Sequence, residues 1–177
     1  MNQASHAGMN HGSNVGTDHG SHAGTERDSR AALNLEPMRW WHIAAAIELD
    51  ADLFGPEKWS ARMMWGELAQ PSTRHYLVAM EDATLIAYGG LAAYDDEAFI
   101  QTIGVRASHQ RRGIGAALLE ALLAEADRRT VPAVLLEVRV DNLVAQRLYE
   151  RHGFTPLRVR KRYYQASGVD ALEMRRG

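Results

Sequence analysis

No cysteine occurs among the 177 residues, which excludes disulfides, thiolate metal sites and a cysteine nucleophile. Long apolar runs are also missing, so no segment is expected to span a bilayer. Basic charge is not in excess. The formal net charge is −2, so no global field draws nucleic acid, and no direct nucleic-acid partner is expected. The first residues lack a basic region followed by an apolar core, so they do not read as a secretory signal. A cytoplasmic location without a membrane partner is the expectation. Apolar content is 46%, enough for one globular domain with a real core at this length.

Residues 1–30 differ in kind. Glycine recurs at Gly8, Gly12, Gly16, Gly20 and Gly24, and four of the eight histidines lie in this segment, at His6, His11, His19 and His22. Such a stretch buries too little apolar surface to offset its ordering entropy, so a disordered tail is expected. Mobile imidazoles could take Zn or Ni weakly, but no metal is assigned.

From Ala31 onward the pattern is that of a folded domain, 31–177. Leu33 and Leu35 alternate with polar residues, as in a strand. Met38 to Leu53 reads as an alanine-rich helix, broken by Phe54-Gly55-Pro56. Trp59 to Gln70 reads as a second helix with Ser60 near its cap. The four tryptophans, Trp40, Trp41, Trp59 and Trp65, read as core packing. A loop between two early helices can also wall a peptide groove, so Phe54 to Ser60 is a substrate-side candidate. A hairpin is expected from His75 to Ala93 around Glu81-Asp82-Ala83, then a strand from Ala98 to Val105.

That strand feeds Gln110-Arg111-Arg112-Gly113-Ile114-Gly115, which opens a helix reaching about Arg129. Two glycines at alternate positions let the backbone approach a bulky anion, and the N–H groups of a first helical turn lack intrahelical partners. Such a start is a ready pyrophosphate site. A P-loop would need Lys-Ser/Thr after the last glycine, where Ala116-Ala117 stand, so that motif is excluded. The dinucleotide fingerprint lacks its third glycine, because Leu118 occupies the place; Glu137 nearly fits its distal acid but does not end its strand. The pattern Gln/Arg-x-x-Gly-x-Gly/Ala fits in full. The plain alternative is a glycine-rich turn with solvated arginines.

Val134 to Val140 reads as the next strand. Val134, Leu136, Val138 and Val140 share one face; Leu135, Glu137 and Arg139 share the other, which sets a carboxylate in an otherwise apolar strand. Asn142 reads as the N-cap and Gly153 as the C′ residue of a helix carrying Ala145 and Tyr149 on one face with the cap. Phe154 to Tyr164, basic at Arg158, Arg160, Lys161 and Arg162, and Ala171 to Arg175 close the chain as an antiparallel pair. The order β-α-α-β-β-β-α-β-α-β-β predicts an α/β (α+β) fold: a mixed, mostly antiparallel sheet of about seven strands with four helices on both faces.

The Gln110–Gly115 loop resembles the acyl-CoA loop of the GCN5-related N-acetyltransferases, the GNAT superfamily. Glu137-Val138-Arg139, Asp141-Asn142, Ala145, Leu148-Tyr149-Glu150, Gly153-Phe154, Arg162-Tyr163-Tyr164 and Asp170-Ala171-Leu172-Glu173-Met174 resemble the RimI group of bacterial ribosomal-protein-alanine N-acetyltransferases. Gln165 departs from the proline often found there. The resemblance implies a GNAT fold and acetyl-CoA as cosubstrate, without a metal. It implies Glu137 as general base and Tyr149 as general acid. Ile103 and Val105 would meet the acyl-pantetheine arm. Arg111, Arg112, Gly113, Gly115 and Ala116 would hold the pyrophosphate through main-chain N–H groups, and Asn142 would contact the pantetheine or sulfur region. The implied acceptor is the N-terminal alanine of a ribosomal protein. A protein lysine or a small amine is the enzymatic alternative. An acyl-CoA-binding interaction module, bound for instance to tRNA-modification proteins, is the alternative outside enzymes.

Overall fold

The computed structural model describes residues 33–177; the segment read as a tail, 1–30, lies outside the described residues. The strands are β1 (Leu35–Pro37), β2 (Arg74–Glu81), β3 (Thr84–Ala93), β4 (Ala98–Val105), β5 (Val134–Arg139), β6 (Thr155–Tyr164) and β7 (Val169–Arg176). The α-helices are α1 (Ile43–Phe54), α2 (Ala61–Leu68), α3 (Ile114–Arg128) and α4 (Leu143–Arg151). The strands form one sheet in the order β1-β2-β3-β4-β5-β7-β6. Among these strands only β4 and β5 pair in parallel. The mixed, mostly antiparallel sheet and the order of elements along the chain are those expected.

Helices cover both faces. The apolar row of α3, with Ile114, Leu118, Leu119, Leu122, Leu123 and Ala126, is buried with Leu136, Val138, Tyr149 and Phe154. On the other face Ile43, Leu49, Leu53 and Met64 pack with Val78, Leu85 and Tyr88. Each large side chain so buried contributes about 1.5–3 kcal/mol. At the β2–β3 pair, Gly90 stands opposite Tyr76, and a Cβ there would sit 2.2 Å from the Tyr76 ring. The ring lies where only glycine leaves room.

Several local expectations are corrected. The first helix is split: a 3-10 turn at Trp40–His42 precedes α1. Trp59 lies before α2, whose N-cap is Ser60, with Oγ accepting from the Met63 N–H at 3.2 Å. β5 ends at Arg139, and Val140 is an exposed turn residue. Trp40, Trp41 and Trp65 are 61%, 58% and 51% exposed, not core. Ile43, Ala46, Leu49, Asp50, Leu53 and Phe54 already fill the inner face of α1, so Trp40 in the preceding turn stacks instead on Trp65 of α2, centroids 6.5 Å apart.

The feature that makes room for a site is a bulge. Gly90 pairs with Thr102 and Leu91 with Ile100, which leaves Gln101 as an extra residue on β4. A bulge bends its strand. β4 and β5 pair only over Ala98–Val134, Phe99–Leu135 and Ile100–Leu136, so pairing ends at the residue before the bulge. Beyond it the two strands part.

Candidate active site

The gap between β4 and β5 exposes main-chain groups. Arg106 N–H donates to the Ile86 carbonyl of β3 at 2.8 Å. By strand alternation the N–H and C=O groups of Val105 and Ile103 point away from β3, into the gap. Both residues line a cavity of about 1120 Å³.

The cavity runs on over Gln110, Arg111, Gly113, Ile114, Gly115 and Ala116. Arg111 and Gly113 have φ of 63° and 83°, so the loop turns through two left-handed residues before α3 begins at Ile114. Glycine takes this conformation at no steric cost; arginine is strained there. The α3 start, whose first N–H groups lack intrahelical partners, lines the cavity at Gly113 to Ala116, which suits a diphosphate. The Gln110 side-chain amide donates to the Val105 carbonyl at 3.0 Å and so ties the loop to the strand. Arg112 is turned elsewhere. Its Nη2 lies 3.2 Å from Glu81, which also takes His109 Nε2 at 2.7 Å. Only the Arg112 main chain remains for the role expected of it.

Asn142 caps α4, its Oδ1 accepting from the Ala145 N–H at 3.1 Å. It is buried and lines the same cavity, yet its Nδ2 has no hydrogen-bond partner. An unsatisfied buried donor costs about 1–3 kcal/mol. A ligand carbonyl in the cavity would satisfy it, so the residues present fit a pantetheine amide. At the far end of α4, Phe154 N–H bonds to the Tyr149 carbonyl and Gly153 N–H to that of Glu150, a Schellman ending with Gly153 at φ 85°.

A second cavity, of about 520 Å³, lies on the other side of the gap. Phe54, Glu57, Trp59 and Met63 form one wall, β4 residues from Phe99 to Ile103 the floor, and Tyr163 and Tyr164 another wall. The loop singled out from Phe54 to Ser60 thus stands at this cavity. Glu57 Oε1 accepts from the Ser167 N–H at 2.9 Å and from its hydroxyl at 3.1 Å, which joins this loop to the β6–β7 turn.

The two cavities share three residues: Ile103, Glu137 and Tyr149. Glu137 is half-buried, and its Oε1 accepts from Arg160 Nη1 at 2.5 Å. Arg139, its strand neighbour, pairs with Asp141 instead, at 2.6 Å. Tyr149 is buried on the α3 side of the sheet, edge-on to Phe154 with ring centroids 5.9 Å apart. Burial pushes its phenol up to about 12. It therefore keeps its proton across neutral pH and remains a donor.

Each predicted catalytic or cofactor-binding residue except Arg112 lies at this junction or along the larger cavity, and the Phe54–Ser60 loop stands at the smaller one. Sequence reasoning did not find Gln110 as a strand tie, nor His109, Arg147 and Arg151, which also line the larger cavity. The spacing of Arg147 and Arg151, four residues apart on one helix face, was the available signal. From the sequence Arg160 reads only as part of a basic strand.

A sheet splayed beside a diphosphate-ready loop, with a carboxylate and a phenol across the gap, defines an acyltransferase that uses an acyl-CoA. The chain belongs to the acetyltransferase (GNAT) family, whose sequence profile matches residues 36–154. Acetyl-CoA is the family's acyl donor. The chain is 42% identical over 134 residues to the N-alpha-acetyltransferase RimI of Mycobacterium tuberculosis (strain ATCC 25618 / H37Rv), covering 73% of this chain and 82% of that protein. It is 36% identical over 106 residues to the [ribosomal protein bS18]-alanine N-acetyltransferase of Salmonella typhimurium, covering 60% and 70%. Its fold superposes on the crystal structure of the ribosomal-protein-S18-alanine N-acetyltransferase from Escherichia coli with a TM-score of 0.73, at 28% identity, covering 81% and 92% of the two chains.

Proposed function

We propose that residues 31–177 form an N-alpha-acetyltransferase domain that moves the acetyl group of acetyl-CoA to the N-terminal alanine amine of a ribosomal protein in the cytoplasm. The observation that carries this reading is the meeting of two cavities at Ile103, Glu137 and Tyr149. One cavity suits a long anionic cosubstrate and the other an acceptor, and they touch only where transfer would occur. The RimI relatives supply the acceptor class. An interaction with tRNA-modification proteins has no support in the structure and is not part of the proposal.

Bound acetyl-CoA supplies an activated thioester. Main-chain N–H groups from Arg111 to Ala116 would hold its diphosphate, Ile103 and Val105 its arm, and Asn142 Nδ2 a carbonyl along it. An α-amine has a pKa of about 7.7–8.0, so much of it arrives protonated at neutral pH. The Glu137 carboxylate, directly or through one water, takes that proton. On the opposite side of the gap Tyr149 holds an O–H for the departing thiolate, whose conjugate thiol has a pKa of about 8.5. Base and acid thus stand on opposite faces of the sheet, and proton removal and proton delivery do not compete for one group.

The test is release of free CoA with three sets of acceptors: peptides with a free N-terminal alanine, the same peptides blocked at the N-terminus and carrying lysine, and small amines. Turnover confined to the free alanine amine is expected. A lysine side chain, of pKa about 10.4, is a harder acceptor to deprotonate. Turnover on blocked lysine peptides or small amines would keep the acetyl transfer and overturn the acceptor. Binding of acetyl-CoA without turnover on any acceptor would favour an interaction module.

A further inference from the structure

β6 is an edge strand, and nearly all of its residues are exposed. It carries one contact the transfer chemistry described above leaves unused. Arg160 reaches from β6 across β7 to Glu137 on β5. The strand between offers Ala171 opposite Arg160, a small buried residue that leaves the crossing open. The guanidinium is fixed from its other side by Tyr163, with Cζ 4.5 Å from the ring centroid, a cation–π contact.

Residues 160 and 163 would lie on opposite faces of a regular strand. They meet because β6 is bulged between Arg160 and Tyr164, where three residues stand against Asp170 alone. Arg162 takes a left-handed φ of 49° at this bulge. Asp170 holds it in place: Oδ1 accepts from the Arg162 N–H at 2.9 Å and Oδ2 from Lys161 Nζ at 2.7 Å. Tyr163 also lines the smaller cavity, so the chain of contacts runs from the acceptor wall through Arg160 to Glu137.

A second carboxylate explains why a cation is needed. Glu173 of β7 stands directly opposite Glu137 and is buried. Like charges opposite each other on neighbouring strands repel. β6 supplies one guanidinium to each: Arg158 Nε lies 3.0 Å from Glu173, and Arg160 Nη1 lies 2.5 Å from Glu137. Without Arg160, Glu137 would face Glu173 uncompensated and would turn away from it.

We propose that Arg160, stacked on Tyr163 across the β6 bulge, is a positioning residue that holds the Glu137 carboxylate at the junction of the two cavities. The bond uses Oε1, so Oε2 is not taken by Arg160 and stays available to the amine or its water. This inference rests on the acetyl-transfer reading above.

The experiment is a double-mutant cycle on the full chain. It combines Arg160→Gln with Glu137→Gln and adds Arg160→Lys as a milder variant, with acetyl-CoA and the peptide acceptor varied separately. A base displaced by about 1 Å can cost on the order of 100-fold. Arg160→Gln is therefore expected to lower kcat about 10- to 100-fold while the acetyl-CoA KM stays within about twofold. Arg160→Lys should recover part of the loss, because a lysine keeps the charge but not the planar stack. In the Glu137→Gln background, Arg160→Gln should add less than about twofold, since residues that act as a unit are not additive. Wild-type kcat in Arg160→Gln, or the same fold-loss with and without Glu137, would overturn the proposal. Should Arg160→Gln fail to fold, the cycle is run with Arg160→Lys, where an equal loss in both backgrounds would overturn it in the same way. Absence of wild-type turnover on every amine would overturn the acetyl-transfer reading itself, a result distinct from an unchanged variant of an active enzyme.

Discussion

The two cavities that meet at Glu137 are built in opposite ways. Apart from Leu53, the larger draws its walls from two short stretches, one before and into α3, the other from the end of β5 through α4. The smaller gathers Phe54 to Met63, the middle of β4, and Tyr163 and Tyr164, segments about a hundred residues apart. A long anionic cosubstrate needs main-chain geometry, and main-chain geometry is local. An acceptor is met by side chains on loops, which the fold brings together from afar. One side of the site is therefore fixed by backbone conformation and the other by packing, and variants should separate them.

The largest loss is expected where the sides meet. Glu137→Gln keeps the shape of the side chain and removes the proposed base, a role that contributes about 10²–10⁴ in rate. Steady-state kinetics at saturating acetyl-CoA should show kcat falling by that order, with acetyl-CoA binding little changed. Wild-type kcat would remove Glu137 from the role and leave the junction without a base.

Gly113→Val should break only the cosubstrate side. Gly113 has a φ of 83°, and a Cβ there meets nothing within 4 Å, so the cost is conformational rather than steric. A left-handed residue bearing a side chain costs about 1–2 kcal/mol, more for a β-branched one. The loop relaxes away from the geometry that presents its N–H groups. Since about 1.4 kcal/mol is tenfold in affinity, the acetyl-CoA KM is expected to rise about tenfold with the peptide KM unmoved. An equal rise in both would mean that the two cavities are not separable.

The same contrast governs what was legible in the sequence. The α3 row, the Ser60 and Asn142 caps and the Gly153 ending follow from local spacing, and each appears where expected. So does the strand alternation that sets Glu137 apart from Leu136 and Val138. The Gln101 bulge carries no residue signature, because a bulge is a mismatch in register between two strands and neither strand alone encodes it. Arg160 was hidden for a related reason. Strand periodicity puts it opposite Tyr163, and only the bulge at Arg162, anchored by Asp170 from the partner strand, brings them together. Trp59 packs against the core as expected, but Trp40, Trp41 and Trp65 do not, because hydrophobicity says that a residue prefers burial, not that space remains for it.

The smallest effect is expected on the acceptor side, at Glu57. Its carboxylate accepts from the Ser167 N–H and hydroxyl and so joins two loops 110 residues apart. Both residues are partly or fully exposed, so water replaces much of what Glu57→Ala removes. A net loss of about 0.5–1 kcal/mol corresponds to a peptide KM raised about two- to fivefold. Unlike Gly113→Val, this variant should leave the acetyl-CoA KM unchanged, because Glu57 lines only the smaller cavity. Varying each substrate at saturation of the other reads the two constants separately. A rise in the acetyl-CoA KM without one for the peptide would reverse the assignment of the cavities, because the loop at Glu57 would then be acting on the cosubstrate.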